Sequence, residues 1–177
     1  LDSQTGAPPD AFTQNGQNWE FPTYNWPAMI ADGCSWWRSR FAHMEHYFDA
    51  FRIDHVLGFF RIWEIPLDSV HGLLGHFSPA LPLTSGEIEY FGLPFRKDLF
   101  TRPFINDSII DRIFGVHAGY VRDAFLISGP YGLYSLKGDY DTQRKVERHF
   151  VGMHDENSIW IRDGLYRLIS NVLFVED

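Results

Sequence analysis

Residues 50–60 form a short apolar stretch with a β-branched centre, in which charge enters only at Arg52 and Asp54. Such a run predicts a buried parallel strand whose last residues emerge into a loop. Polar groups in a sheet core need partners, so Arg52, Asp54 and His55 require either one another or a substrate. Two interpretations therefore stand: a structural Arg–Asp pair at a strand end, or residues that perform chemistry there.

A helical pattern comes immediately before this stretch. Large apolar side chains recur every three or four residues, at Trp36, Trp37, Phe41, Met44, Tyr47 and Phe48. With Asp32, Gly33 and Ser35 as start signals, this spacing predicts an amphipathic helix over 35–48. A helix that runs directly into a buried strand is one step of a parallel α/β sheet.

The pattern weakens after residue 66. Residues 67–100 carry three prolines and several glycines without clear periodicity, which predicts an irregular excursion. Asn106 or Asp107 is expected to cap a helix that continues through Phe114. The remaining pattern predicts a short helix or strand within 119–127, a short strand within 131–136, a helix over 141–150 and a final strand over 171–175.

Length and charge restrict the classes of protein to consider. The 177 residues suit one ordinary domain but fall short of a complete (β/α)8 barrel, which takes ~250 residues. A net charge of −8 argues against nucleic-acid binding, which relies on Lys and Arg. No apolar run approaches the ~20 residues that cross a bilayer, and no signal-peptide pattern is present. With Cys34 as the single cysteine, no internal disulfide can form, and we expect a cytoplasmic protein.

Neither a metal nor a cofactor is predicted. His43 and His46 lie three residues apart and could share a helix face, but no third ligand follows at a suitable spacing. We interpret both histidines as ordinary polar positions of the predicted helix.

Residues 16–27 interleave aromatic side chains with amides and prolines and show no regular period. A segment of this composition either packs irregularly against a core or lines a pocket, and the sequence leaves both interpretations open. The flat faces of Trp and Tyr would suit sugar rings in the second case.

Three motifs in residues 6–66 carry a resemblance to a known family: GAPPDAF, GQNWEFPTYNW and FRIDHVLGFFRIWEIP. In this order and spacing they resemble the amylomaltases, the 4-α-glucanotransferases of glycoside hydrolase family 77. Residues 67–177 resemble, more loosely, the longer type of this enzyme, in which an insertion follows the strand that bears the nucleophile. The resemblance implies an α/β fold: residues 1–66 would be part of an incomplete (β/α)8 barrel, and residues 67–177 a mostly helical insertion.

The resemblance also implies a retaining mechanism. In this family a carboxylate attacks the anomeric carbon, and a hydroxyl of another glucan resolves the covalent intermediate; a second carboxyl ~5–5.5 Å away serves as acid and base. Asp54 matches the nucleophile, and His55 matches the histidine that contacts a glucose hydroxyl. Arg52 shares the side of the predicted strand with Asp54. The other expected substrate contacts are Asp10, Gln17 as a hydroxyl partner, and Trp19 as a stacking surface.

Two features depart from the family pattern. Many members have glycine after the tryptophan of the GQ-x-W motif, where this chain has Glu20. The family's Glu-Asp-Leu-Gly element, which carries the acid/base glutamate, is absent from the sequence, and residues 154–157 only imitate the later His-Asp-Asn element. We therefore expect a central fragment of a larger enzyme.

Three hypotheses follow. The first is a fragment of a 4-α-glucanotransferase that acts on α-1,4-glucans and maltooligosaccharides but is inactive alone and self-associates through exposed barrel surfaces. The second is a stand-alone carbohydrate-binding module. The third is a small hydrolase that uses Asp54 with Glu64 or Glu20. The order of the motifs favours the first.

Overall fold

The computed structural model describes residues 3–176; residues 1, 2 and 177, at the ends of the predicted ranges 1–66 and 67–177, lie outside the described residues. Four strands form the first sheet: β1 (Ser3–Ala7), β2 (Gln17–Pro22), β3 (Ile62–Pro66) and β4 (His76–Ser78). Their order is β2-β1-β3-β4, and every neighbouring pair is antiparallel. The fold is mixed α/β.

Helices dominate the second half of the chain. The helices of residues 3–176 are α1 (Trp26–Ala31), α2 (Ser35–Met44), α3 (Ser85–Tyr90), α4 (Lys97–Phe100), α5 (Asp107–Phe114), α6 (Ala118–Phe125), α7 (Gln143–His149) and α8 (Glu156–Ile169). A small antiparallel sheet pairs β5 (Leu126–Ser128) with β6 (Tyr134–Leu136).

Side-chain caps fix where the later helices begin. Asn106 Oδ1 accepts the backbone N–H of Ile109 at 2.9 Å at the start of α5, as its sequence position predicts. Thr142 caps α7 in the same way, and Asp155 caps α8 through the N–H of Ser158 at 2.9 Å. Each cap satisfies a backbone donor that the first helical turn leaves unpaired.

The main hydrophobic core lies in the helical part. Phe114, Phe125, Leu165 and Leu168 are essentially inaccessible to solvent and belong to one cluster drawn from α5, α6, α7 and α8. Gly164 permits the close packing of α5 on α8, because a Cβ atom there would lie 2.3 Å from the ring of Phe114. The first sheet contributes less to a buried core, with Ile65 as its buried centre.

Gln143 joins the sheet to this core. Its side chain is only 1% exposed, and its Oε1 accepts the backbone N–H groups of Val70 and His71 at 2.7 and 3.0 Å. Its Nε2 donates to the carbonyl oxygen of Tyr166 and to Ser170 Oγ, at 3.3 and 2.8 Å. One buried amide thus ties the chain that follows β3 to both α7 and α8.

Several predicted elements are confirmed. The helix over 35–48 is observed as α2, which ends at Met44 and continues as turns to residue 47. The helix capped by Asn106 is α5, the helix within 141–150 is α7, and the strand within 131–136 is β6. Residues 119–127 fall in α6 and the start of β5.

Two predicted strands are wrong. Residues 50–55 belong to no helix or strand and are exposed, and a 3-10 helix, Val56–Phe59, follows them. A buried parallel strand needs hydrogen-bonding neighbours, yet all strand pairs within residues 3–176 are antiparallel and none includes this segment. Residues 171–175 are also irregular: the N–H groups of Leu173 and Phe174 both donate to the carbonyl oxygen of Phe100 instead of forming a ladder.

Candidate functional site

A bulge in β2 presents Trp19 and Glu20. Consecutive residues Thr5 and Gly6 of β1 pair with Phe21 and Asn18 of β2, which leaves Trp19 and Glu20 outside the ladder. Glu20 takes φ = +60°, a left-handed conformation that favours glycine. Because a bulge bends its strand and redirects side chains, it removes the Trp19 ring from the regular alternation of the sheet.

The bulge brings Trp19 against the second motif. The Trp19 and His55 rings meet edge-on, with centroids 5.7 Å apart and planes at 86°. Trp19 Nε1 donates a hydrogen bond to Gln17 Oε1 at 3.0 Å. The Trp19 side chain keeps 38% of its surface exposed, so its ring is held in place while remaining open to a ligand. Three predicted site residues from two distant segments therefore lie together.

Arg52 and Asp54 form an ion pair beside this cluster. Arg52 Nε donates to Asp54 Oδ1, and both side chains are largely solvent-exposed, at 87% and 74%. An exposed pair of this kind contributes about 0–1 kcal/mol to folding. The Arg52–Asp54 pair therefore contributes little to the stability of the fold. Asp54 directly precedes His55, whose ring contacts Trp19.

Aromatic contacts, and not a sheet, hold the Asp54 segment. At one end the ring of Phe51 stacks on Phe41 of α2, with centroids 4.7 Å apart and planes at 12°. At the other end Phe59 contacts Trp37 of α2 at 5.1 Å and Trp26 of α1 at 5.6 Å. Sequence reasoning assigned Trp37 and Phe41 to a helix face but did not foresee this role. The helical spacing of these aromatics was the available signal.

Asp10 is placed differently from the other predicted site residues. Its Oδ1 accepts the N–H of Thr13 at 2.6 Å, the hydroxyl of Thr13 at 2.9 Å and the N–H of Phe12 at 2.9 Å. These bonds, chiefly from Thr13, lower the pKa of the Asp10 carboxyl below its ordinary value. In this structure Asp10 shapes the loop between β1 and β2 and is not joined to the Trp19–His55 cluster by a described contact.

The remaining carboxylates of interest have structural partners. Glu64 of β3 accepts a hydrogen bond from Ser3 Oγ at 3.2 Å, and Glu20 is engaged by Arg144 of α7 at 2.5 Å. Asp155, in the stretch that imitates a family motif, is the cap of α8. These contacts do not favour a small hydrolase built from Asp54 with Glu64 or Glu20.

Residues 3–176 hold no arrangement typical of a metal site or of a membrane-spanning helix. No group of three His, Cys, Asp or Glu side chains there is arranged to hold a metal ion. His43, in α2, and His46, in the turn that follows it, are both exposed, with ring centroids 6.3 Å apart. None of the helices in the same residues combines the length and the apolar character that crossing a membrane requires.

Comparison with known proteins gives a consistent result over most of the chain. The family model described as 4-alpha-glucanotransferase, of glycoside hydrolase family 77, matches residues 1–163. The rice (Oryza sativa subsp. japonica) protein named 4-alpha-glucanotransferase DPE2 is 40% identical over all of this chain, which covers 19% of that protein. The 4-alpha-glucanotransferase of Aquifex aeolicus is 34% identical over 88% of this chain, covering 29% of that protein.

A second plant relative matches half of the chain. The potato (Solanum tuberosum) 4-alpha-glucanotransferase, named chloroplastic/amyloplastic, is 41% identical over 50% of this chain, covering 16% of that protein. The chain thus spans less than a third of each of these three relatives. Since the family model extends over more than half of the chain, the chain belongs to glycoside hydrolase family 77, the 4-alpha-glucanotransferases.

Proposed function

We propose that this chain is a section of a retaining 4-α-glucanotransferase that transfers segments of α-1,4-glucans between maltooligosaccharides or to other glucan acceptors, with Asp54 as nucleophile. One observation carries the proposal. The edge-on contact of Trp19 with His55 brings the GQ-x-W segment and the RIDH segment together, and Asp54 directly precedes His55 in the sequence.

Each residue then has a chemical task. Asp54 forms a bond from its carboxylate oxygen to the anomeric carbon while the glycosidic C–O bond breaks, and an acceptor hydroxyl later displaces Asp54. Arg52 orients the carboxylate through Oδ1. Trp19 stacks on a glucose ring, and Gln17 and His55 contact its hydroxyls. Asp10 serves the subsite through its loop, whose shape its hydrogen bonds maintain.

The proposal also covers domain organisation. Residues 1–66 would be part of a (β/α)8 barrel, and residues 67–177 an insertion that leads towards the next barrel element. The intact enzyme would be cytoplasmic, with glucans and neither nucleic acid nor membrane as its partners.

The chain alone should be inactive. Retaining chemistry requires a proton donor for the leaving oxygen, and the sequence has no Glu-Asp-Leu-Gly element to supply the family's acid. Several large apolar side chains beside the site are exposed, including Phe51 and Phe60 at 51% and 71%. Apolar surface of this kind would favour self-association of the isolated chain.

The experiment is disproportionation of maltotriose by the full-length enzyme that carries this chain. Asp54→Asn should lower transfer by a factor of about 10³ or more, since it removes the covalent nucleophile. Asp49→Asn, which neutralises an exposed carboxylate five residues earlier, is the matched control and should retain the parent rate. Transfer by Asp54→Asn within about tenfold of the parent would reject the assignment.

A second candidate is a stand-alone carbohydrate-binding module. It is favoured by the exposed Trp19 ring with Gln17 at its edge, which the chain forms by itself. If the chain is such a module, the purified 177-residue chain should bind maltoheptaose saturably. The reading frame that encodes it should then contain no acid/base element. A Glu-Asp-Leu-Gly element in the same reading frame would decide for the enzyme.

A further inference from the structure

Glu20 has a backbone conformation that favours glycine, and its side chain has a specific partner. Its backbone has φ = +60°, while its Oε1 lies 2.5 Å from Nη2 of Arg144, 124 residues later in the chain. A residue that accepts an unfavourable backbone conformation in order to form a long-range contact points to a role for that contact. The partner, Arg144, lies in the first turn of α7.

Arg144 is itself firmly fixed. Its Nη1 donates to Glu147 Oε2 at 2.9 Å, its backbone N–H donates to the carbonyl oxygen of Asp68 at 2.9 Å, and its side chain is only 23% exposed. Burial opposes the charge of Arg144, but the hydrogen bonds to Glu147 and Glu20 outweigh it and raise the pKa of the guanidinium. The guanidinium is therefore a preorganised anchor for the Glu20 carboxylate.

The other neighbour of Trp19 is anchored as well. Asn18 Nδ2 donates to Gln4 Oε1 at 3.0 Å and to the carbonyl oxygen of Ser69 at 3.2 Å, while Asn18 Oδ1 accepts the N–H of Glu20 at 2.9 Å. The next residues after Ser69 are those whose N–H groups bond Gln143. The first two residues of α7 thus support both neighbours of Trp19. Gln143 holds the segment after Ser69, to which Asn18 is hydrogen-bonded, and Arg144 binds Glu20 directly.

We infer that Arg144, through its ion pair with Glu20, is a positioning residue for the Trp19 sugar platform, so that the helical part sets glucan affinity. The inference rests on the proposed function, because it needs Trp19 to stack on sugar. It assigns residues 67–177 a task beyond connecting barrel elements: they fix the shape of the bulge that presents the ring.

The test uses the full-length enzyme that carries this chain, inactivated by Asp54→Asn, and measures maltoheptaose affinity together with the Trp19 ring resonance by ¹⁹F NMR of fluorotryptophan. Arg144→Ala and Glu20→Gln should each weaken binding about tenfold, because a displaced platform loses its alignment with the sugar, and both should shift the resonance. Lys145→Ala removes a neighbouring cation whose partner is Asp141, and Glu89→Gln neutralises an exposed carboxylate of α3. Both controls should change affinity less than about twofold.

Two further variants separate positioning from stability. Glu20→Gly removes the ion pair but relieves the left-handed backbone, so it should keep or raise the melting temperature while binding weakens. Arg144→Lys keeps the charge and should restore part of the affinity lost in Arg144→Ala. In the full-length enzyme, Arg144→Ala should raise KM with kcat little changed, since stacking is lost equally in ground and transition states.

The outcomes distinguish this inference from the function on which it rests. If Trp19→Ala abolishes binding while Arg144→Ala and Glu20→Gln behave like their controls, the positioning role is rejected and the sugar platform stands. If Trp19→Ala leaves binding unchanged, the platform itself is rejected and the positioning role falls with it. A loss of affinity in Glu20→Gly that is matched by a lower melting temperature would also reject positioning in favour of a structural role.

Discussion

The indole ring of Trp19 and the imidazole ring of His55 meet at right angles, 5.7 Å apart, although 36 positions separate them in sequence. Edge-to-face ring pairs contribute about 0.5–1.5 kcal/mol beyond the burial of their area. The contact therefore links the bulge of β2 to the segment that carries Asp54. Disturbing either ring should affect the other.

The first prediction concerns Trp19 itself. Trp19→Ala should weaken maltoheptaose binding at least about tenfold, because a stacked aromatic ring contributes one to several kcal/mol to a binding site. Isothermal titration of the full-length enzyme, inactivated by Asp54→Asn, provides the measurement. Tyr131→Asn, which removes an almost fully exposed ring from the helical part, is the control and should leave affinity unchanged. Equal affinities in the two variants would contradict a platform role for Trp19.

The second prediction concerns the stack of Phe41 on Phe51. Phe41→Ala should destabilise the segment 50–55 by about 1–2 kcal/mol, since the segment has no ladder hydrogen bonds and relies on ring contacts. Backbone ¹⁵N order parameters of residues 50–55 should fall in this variant, while those of α8 are unchanged. Phe48→Ala, which removes a ring that is 62% exposed, should not lower them. Unchanged order parameters in Phe41→Ala would show that other contacts hold the segment.

The third prediction concerns Gln143. Gln143→Leu keeps the volume but leaves two backbone donors and a carbonyl oxygen without their partner, so the free energy of unfolding should fall by about 3 kcal/mol. Urea denaturation measures this loss. Arg148→Ala on the exposed side of α7 should change it by less than about 0.5 kcal/mol. A loss in Gln143→Leu no larger than that of the control would mean that solvent satisfies these groups.

The fourth prediction concerns His71. Burial against the edge of the Tyr166 ring lowers the pKa of His71 below its ordinary 6.5 and, with other causes, raises the pKa of Tyr166 to about 12. Because the unfolded chain binds the His71 proton more readily, this stability is present above pH 6.5 and is lost as the pH falls from there towards the native pKa. The melting temperature should therefore drop between pH 7 and pH 5.

The matched variant for this prediction is His71→Gln, which cannot take up a proton. It should flatten the decline of melting temperature between pH 7 and pH 5, whereas His154→Gln, at an exposed position, should not. The Asp10 carboxyl does not interfere in this window. Because folding lowers its pKa, the stability it contributes is present above its ordinary pKa of 3.8 and is lost as the pH falls below that value. An identical decline in His71→Gln would assign the effect to other groups.

The elements that the sequence predicted are those set by local signals. Asn106 as a cap and the apolar spacing through Phe114 determine α5, and the spacing from Trp36 to Met44 determines α2. The first sheet escaped prediction because β1 and β3 are short and their partners lie some sixty residues apart, as for Gln4 and Ile65. The longest helix, α8, also escaped, since its buried stripe includes Gly164, which ordinarily weakens a helix.

Part of the candidate site was predicted, because its motifs are also local in the sequence. The motifs named Asp54, His55, Gln17 and Trp19, and the contacts among the last three follow from the bulge in β2. The apolar run around Ile53 predicts a buried strand, but periodicity does not show whether neighbouring strands are available to pair with it. The Glu20–Arg144 pair could not be predicted, because no local sequence signal indicates a partner 124 positions away.

The bulge has one more consequence, which follows from the place of β2 at the edge of its sheet. A flat edge strand exposes a row of free N–H and C=O groups on which another chain can add a strand. Trp19 and Glu20 interrupt that row, and Pro22 at the end of β2 offers no N–H at all. The bulge that displaces Trp19 from the ladder thus also disfavours the addition of another strand at this edge. Association between copies of the chain should instead occur through exposed aromatic side chains such as Phe60.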